Sequence, residues 1–301
     1  MKPSIPIVAF TPNLALGRTL ELDGQLTPEK LHRVRVTHEA AGGGGVNLAR
    51  VVTALGGEVI VAGFLAGWNG QKFQQLLSRE SLSGVFQEVE GETRECHILL
   101  DGRPHPTEVY ESGPTVSTED WEALLKKLPS GKIVVSGSLP PGITPEAFRT
   151  LLREFPSRPV VDTSGPTLVA ALEARVALVK ANQSELASVM GTDSAGVEEA
   201  IELFRQYQTP ILLTQGASGA ALIDRESYWA KPPEISVRNP VCSGDSLLGA
   251  FLWQRAQGAT SAKALRMGVA AGAENARATE CEITAEGVLE LYERTQTGRI
   301  N

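Results

Sequence analysis

Short apolar runs of strand length recur at Ile5–Phe10, Val59–Phe64, Lys132–Ser136, Pro159–Asp162, Ala177–Lys180, Pro210–Thr214 and Gly219–Ile223. None alternates strictly between apolar and polar positions, which is the pattern of strands buried on both faces. Between them, apolar residues recur at helical spacing. Thr144-Pro145-Glu146 supplies an N-cap, a proline at the first helical position and an early acid ahead of Ala147, Phe148, Leu151, Leu152 and Phe155. Ser117 to Asp120 precedes Leu124, Leu125 and Leu128 in the same manner, and Ser194 precedes Val197, Ile201 and Phe204. Strand and helix therefore alternate, and the expected class is α/β: a mostly parallel sheet covered by helices on both sides.

Two stretches break the rhythm. Residues 12–41 and 91–112 are β-prone and polar, with no helical pattern. They predict a small discontinuous β-sheet projecting from the main domain as a candidate lid. The expected division is 1–11, 42–90 and 113–301 for the main α/β domain, with 12–41 and 91–112 for the lid.

Composition narrows the function classes. The 301 residues can bury a sizeable core, and 42% hydrophobic with 21% charged residues is ordinary for a soluble globular protein. A net charge of −7 argues against nucleic acid, whose binding rests on clustered Lys and Arg. The apolar run after Lys2 is too short for a signal-peptide core or a membrane span. Cys96, Cys242 and Cys281 are odd in number and far apart, so no disulfide framework or CxxC metal site is expected. A reducing cytoplasm fits best, and Cys242 is expected to serve packing.

Two glycine-rich turns carry the chemistry. Gly42-Gly43-Gly44-Gly45-Val46-Asn47 opens a helix that continues through Leu48, Val51, Val52 and Leu55. Its unpaired first amides suit an anion or a closely packed ligand, the alternative being a bend needed for packing. Val241-Cys242-Ser243-Gly244-Asp245 opens a second apolar helix. An acid at a helix start serves as N-cap or as catalytic base, and this turn alone leaves both open. Neither turn is GxxxxGK[ST] or GxGxxG. Together they suggest two anion-holding helix ends in one crevice, as a phosphoryl donor and a charged acceptor require.

Taken in order, these segments resemble the PfkB (ribokinase-like) family of carbohydrate kinases through essentially the whole chain. The glycine run with Val46-Asn47 resembles the family's first signature, and Asn239 to Asp245 its second. Ser136-Gly137-Ser138-Leu139-Pro140-Pro141-Gly142, Val161-Asp162-Thr163-Ser164-Gly165, Lys180-Ala181-Asn182-Gln183-Ser184-Glu185 and Thr214-Gln215-Gly216-Ala217-Ser218-Gly219 fall between them in the family's order. Gly91-Glu92-Thr93-Arg94 and Thr107 to Pro114 are most similar to the branch acting on ketohexose phosphates. The resemblance implies transfer from ATP, with Mg²⁺, to tagatose 6-phosphate, fructose 1-phosphate or fructose 6-phosphate.

By that resemblance Asp245 is the catalytic base, and the amides of Ser243, Gly244 and Asp245 form an anion hole. Lys180, Asn182, Thr214, Gly216, Gly219 and Asn275 fall to the nucleotide, although for Asn275 a helix polar face is the favoured reading. Glu185 holds the metal, largely through water. Gly43, Gly45, Asn47, Arg94, Ser138 and the lid residue Arg33 face the acceptor. Two departures bear on that acceptor: Ala15 stands where the branch carries an Asp, and Gly44 where relatives often carry Lys. They keep open a kinase for an unphosphorylated sugar or nucleoside, and a catalytically weak sugar-phosphate sensor. Exposed lid strands offer an edge for a homodimer.

Overall fold

The structure is a computed structural model that describes residues 6–103, 106–279 and 281–300. Lys2 and Ile5 of the first predicted strand lie outside them. In chain order the elements are β1 (Ile7–Thr11), β2 (Ala15–Leu22), β3 (Val34–Gly42), α1 (Gly44–Ala54), β4 (Val59–Leu65), α2 (Gly67–Arg79), β5 (Ser83–Glu88), β6 (Arg94–Leu100) and β7 (Thr107–Tyr110). There follow α3 (Thr118–Leu125), β8 (Lys132–Ser136), α4 (Pro145–Leu151), β9 (Val160–Asp162), α5 (Gly165–Glu173), β10 (Leu178–Asn182), α6 (Gln183–Met190), α7 (Val197–Tyr207) and β11 (Ile211–Thr214). The chain ends with β12 (Ala220–Ile223), β13 (Tyr228–Lys231), α8 (Ser243–Ala256), α9 (Ser261–Arg277), α10 (Ala285–Arg294) and β14 (Gln296–Arg299).

The main sheet has ten strands in the order β14-β13-β12-β11-β10-β9-β8-β1-β4-β5. Pairing is parallel from β5 through β11 and antiparallel from β11 to β14. The strands predicted from apolar runs are all present, shifted by at most two residues at their ends. The strands β5, β13 and β14 carry no such run, because they lie at or near the sheet's margins and keep polar, partly exposed positions.

Successive residues of β1 feed opposite layers, as a pleated strand requires. Val8 and Phe10 join Phe64, Trp121, Phe148 and Phe155 in the layer that packs α3 to α7. The Phe10 and Trp121 rings meet edge-on at 4.8 Å between centroids. Ile7 and Ala9 instead join Val46, Leu48, Phe73, Leu248, Phe251 and Leu265 of α1, α2, α8 and α9. The result is a three-layer α/β/α body.

Helix starts follow the capping chemistry with one correction. Ser117 and Asp120 form a reciprocal capping box at α3, and Thr144 caps α4 ahead of Pro145. The third helix does not start at Ser194. Gly196 is its N-cap, because Glu199 stands three residues on and its carboxylate accepts from the Gly196 amide at 2.7 Å.

A separate four-stranded sheet, β3-β2-β6-β7, is built from the chain's two polar excursions. β2 pairs antiparallel with β3 and parallel with β6, and β6 pairs antiparallel with β7.

The strand order of the main sheet reverses between β1 and β8. From there β4 and β5 extend one way and β9 to β11 the other. A crevice opens beyond the carboxyl ends of the strands at such a reversal, and ligands of open α/β sheets bind there. Thr11, Ser136, Asp162 and Asn182 are the last residues of β1, β8, β9 and β10, so the fold gathers them at this one edge.

Candidate active site

In the second glycine-rich turn Asp245 is not the helix cap. Cys242, not Asp245, is the N-cap of α8, and it adopts a left-handed conformation with φ 64°. Asp245 lies within the first helical turn, and its carboxylate caps nothing. Instead Asn47 Nδ2 donates to Asp245 Oδ2 at 2.8 Å. The two glycine-rich turns therefore face each other across the crevice.

Packing explains why the first turn must be glycine here. A Cβ on Gly44 would lie 2.4 Å from Ser136 Oγ and 3.3 Å from Asp245 Oδ1. A Cβ on Gly45 would lie 2.4 Å from Thr11 Oγ1, the atom that accepts from the Gly45 amide at 3.1 Å. Bare backbone is thus held against Ser136 and the Asp245 carboxylate. Gly43, at φ 125°, ends the turn in a conformation that other residues avoid.

Lys180 crosses beneath the second turn. Its ammonium pairs with Asp162 Oδ1 at 3.0 Å, and a Cβ on Gly244 would lie 3.1 Å from Lys180 Nζ. Burial disfavours the ammonium, but Asp162, Glu185 and Asp245 outweigh it, and the Lys180 pKa is raised. Asp245 is pushed up to about 7, first by burial and then by the Asp162 carboxylate, against the opposing pull of Lys180 and the Asn47 hydrogen bond. The amides of Gly244 and Asp245, in the first turn of α8, have no intrahelical acceptor. They and the helix dipole favour negative charge beside the Lys180 ammonium.

Next along the sheet edge, Asn182 caps α6. Its Oδ1 accepts from the Glu185 amide at 2.8 Å, and Glu185 Oε2 accepts from the Asn182 amide at 2.7 Å. The spacing of these two residues is thus fully used as a capping box, with Glu185 Oε1 outside it. Burial is the first cause that raises the Glu185 pKa. Asn182 is in register with Thr214 of β11, after which Gly216 and Gly219, both at positive φ, turn the chain into β12.

A second group lies under the smaller sheet. Arg94 Nε and Nη2 donate to the Asn13 carbonyl at 3.2 and 2.9 Å, and Arg94 Nη1 to the Glu111 carbonyl at 3.3 Å. The Asn13 side chain donates to the Ser112 carbonyl at 3.0 Å and reaches Ser138 Oγ at 3.5 Å. Asn13 thereby joins Arg94 to Ser138. Its own Oδ1 is buried without a hydrogen-bond partner among the described residues.

The structure corrects three expectations. Asn275 is fully buried, with Nδ2 donating to the Val241 carbonyl at 2.6 Å and to Ser243 Oγ at 3.1 Å. Through Nδ2 it supports the turn before α8, while its Oδ1 has no hydrogen-bond partner among the described residues. Arg33 stands exposed on the β2–β3 connection without a hydrogen bond or ion pair among the described residues. Cys242 and Cys281 form a disulfide with Cα atoms 5.7 Å apart, tying the N-terminus of α8 to the α9–α10 connection. Their sequence separation of 39 hid that proximity, because α8 and α9 run out and back as a hairpin.

Asp162, Arg50 and Thr11 also belong to the site, and the motif reading gave them no role. An acid closing an apolar strand-length run, and a cation three residues after Asn47 on one helix face, were the available signals.

The comparisons with known proteins agree with this fold. Residues 11–286 match the model of the pfkB family carbohydrate kinases. The chain is 32% identical to a 1-phosphofructokinase of Escherichia coli strain K12 over 91% of its own length and 88% of that protein. Among solved structures, phosphofructokinase-2 of Escherichia coli in complex with substrates and products superposes with a TM-score of 0.85 at 26% identity, covering 97% of this chain and 99% of the other. A ribokinase of Thermotoga maritima shares the fold at a TM-score of 0.80 and 16% identity, over 96% and 99% of the two chains. A ribokinase-like body and a family match over most of the chain define a sugar kinase. The chain belongs to the pfkB family of carbohydrate kinases.

Proposed function

We propose that this kinase transfers the γ-phosphoryl group of ATP to a hydroxyl of fructose 1-phosphate, with Asp245 as general base. The carrying observation is the Asp245 carboxylate: it caps no helix, is held by Asn47 at 2.8 Å and stands beside free helix amides and Lys180. A carboxylate whose pKa lies near neutrality accepts a proton from an attacking alcohol efficiently at pH 7. As that proton moves to Asp245, the alcohol oxygen bonds to the γ-phosphorus and ADP departs. The amides of Gly244 and Asp245, with the Lys180 ammonium, stabilise the charge on the transferring group, whereas the Ser243 amide, expected to join them, donates to the Pro240 carbonyl at 3.2 Å. Thr214, Gly216, Gly219 and Asn182 line the strand edge that supports the nucleotide phosphates.

Among the described residues no group of three or more His, Cys, Asp or Glu side chains could hold a metal alone. That suits Mg²⁺, which keeps much of its water and binds mainly through the phosphates. Glu185, through Oε1, is the side chain that would meet the hydrated ion.

The name of the curated relatives favours fructose 1-phosphate among the ketohexose phosphates. Arg94 is the cation for its phosphate: three of its five N–H groups serve carbonyls, leaving the rest for a ligand. The smaller sheet is a lid over the acceptor. It is also a homodimer face, since Val34 and Val36 on its edge strand β3 are half exposed. Among the described residues no helix is long and apolar enough to cross a membrane. A cytoplasmic setting accords with both proposed substrates.

One observation favours a second acceptor class. Arg94 already serves two backbone carbonyls, Gly44 supplies no cation and Ala15 no acceptor, so an unphosphorylated sugar is the alternative. ADP release is measured with fructose 1-phosphate, fructose 6-phosphate, tagatose 6-phosphate and free fructose, each with and without Mg²⁺. The highest kcat/KM is expected for fructose 1-phosphate, with loss of turnover when Mg²⁺ is withheld. Turnover of free fructose alone selects the alternative. Binding of sugar phosphate without turnover at any ATP concentration selects a sensor.

A further inference from the structure

Arg50 lies one helical turn after Asn47 on α1, and its guanidinium is held on three sides. Nε and Nη2 grip Glu80, the C-cap of α2, at 2.5 and 2.8 Å. Nη2 also donates to the Ala41 carbonyl, at 2.7 Å, just before the glycine turn. The remaining arm, Nη1, donates to Asn47 Oδ1 at 2.9 Å. Asn47 Nδ2 then donates to Asp245 Oδ2 at 2.8 Å. Four side chains thus run in series from the end of α2 to the start of α8.

The direction of this chain matters chemically. An asparagine carboxamide is nearly symmetric in shape, and a rotation of its end exchanges a donor for an acceptor. Arg50 has donors only, so it stabilises the rotamer in which Oδ1 faces the guanidinium. The NH₂ group is then forced toward the carboxylate. In the opposite rotamer Asn47 would set an amide oxygen against a carboxylate oxygen and its NH₂ against Nη1, two repulsive contacts. Glu80 and Ala41 leave the guanidinium little freedom to follow, since a forked, bidentate pair is set in plane and direction.

We propose that Arg50, locked by Glu80, is a positioning residue that holds Asn47 in the donor orientation and so aims the Asp245 carboxylate at the acceptor hydroxyl. The inference rests on the assignment of Asp245 as base. It does not require Arg50 or Glu80 to touch either substrate. Misalignment of a reacting group by about 1 Å costs on the order of 10²-fold in rate, so the expected loss on removing Arg50 is about 10- to 100-fold in kcat.

The test is a double-mutant cycle with kcat and both KM values measured separately. Arg50→Met is expected to lower kcat by about 10- to 100-fold while leaving the KM for ATP within about two-fold. In an Asn47→Ala background the same substitution is expected to cost little further, because the carboxamide it orients is gone. Multiplicative losses, or an unchanged kcat in Arg50→Met, would overturn the proposal. Should Arg50→Met not fold, Glu80→Gln runs the same cycle: a smaller loss in kcat that vanishes beside Asn47→Ala supports the relay, and one that persists there overturns it. Asp245→Asn, measured in parallel, separates the two levels. A normal kcat there removes the base itself, whereas a deep loss there with an additive cycle removes only the positioning role.

Discussion

At the residue scale, Asp245 combines two properties that pull in opposite directions. Its carboxyl must be ionised to act as a base, yet burial and Asp162 push its pKa up to about 7. In the acid limb of the pH profile, kcat/KM is therefore expected to rise with pH and level off above about 7. Asp245→Asn is expected to lower kcat by roughly 10²- to 10⁴-fold, the usual scale for a general base, because Asn accepts the Asn47 hydrogen bond but takes no proton. The same substitution should change stability with a definite sign. In the unfolded chain the carboxyl ionises near its ordinary value, whereas in the folded protein it stays protonated to higher pH. The unfolded state is thus relatively favoured as pH climbs from about 4 to 7. Thermal unfolding should show Asp245→Asn gaining on the native chain at pH 8 and losing that advantage near pH 4. An equal difference in Tm at both pH values would contradict the raised pKa. The sequence displayed this residue's chemistry but not its geometry. A cap and a base occupy the same place in a motif, and only the distance from Asn47 distinguishes them.

At the scale of elements, local chemistry was legible and distant pairing was not. Ser117 and Asp120 read out as a helix start because both partners of a capping box lie within one turn, whereas the same box at Asn182 and Glu185 was read only as a family motif. The strands of the sheet centre announced themselves as apolar runs, but β14 reads as Gln296-Thr297-Gly298-Arg299 and gives no such signal. The Cys242–Cys281 bond is the clearest case of hidden pairing. It depends on α8 and α9 returning the chain to its start, a tertiary fact with no trace in cysteine spacing. Closing a segment of 39 residues removes entropy from the unfolded chain worth up to about 4 kcal/mol on the chain-entropy model. A dithiol reductant, which takes the disulfide to two thiols while itself becoming oxidised, is therefore expected to lower Tm by several degrees. Cys281→Ser should start at that lower Tm and be indifferent to reductant. Identical melting of the native chain with and without reductant would show that the bond does not form in solution.

At the scale of the whole molecule, the body and the smaller sheet obey different rules. The body hides nearly all of its large apolar residues, whereas the smaller sheet and its β2–β3 connection leave Leu31, Val34, Val36, Val109 and Tyr110 exposed, Leu31 at 81% and Val36 at 47%. Val34 and Val36 occupy alternate positions of β3, so they share one face of a strand that is also an open edge. Such a strand invites a second copy by edge pairing and apolar contact together, and the self-complementary arrangement is a two-fold dimer. Lys72 of α2 meets Glu39 of β3 at 2.7 Å, tying this sheet to the body near the glycine turn. Pairing through the sheet would reach the proposed acceptor site through β3, which ends at Gly42. Light scattering at working concentration is expected to give a dimer, and Val36→Glu, which sets a charge on the shared face, a folded monomer. That monomer should show a raised KM for the sugar with the KM for ATP little changed, since only the acceptor side borders the sheet. A native chain that is monomeric at assay concentrations, or a Val36→Glu variant that remains dimeric, would remove the smaller sheet from the dimer face.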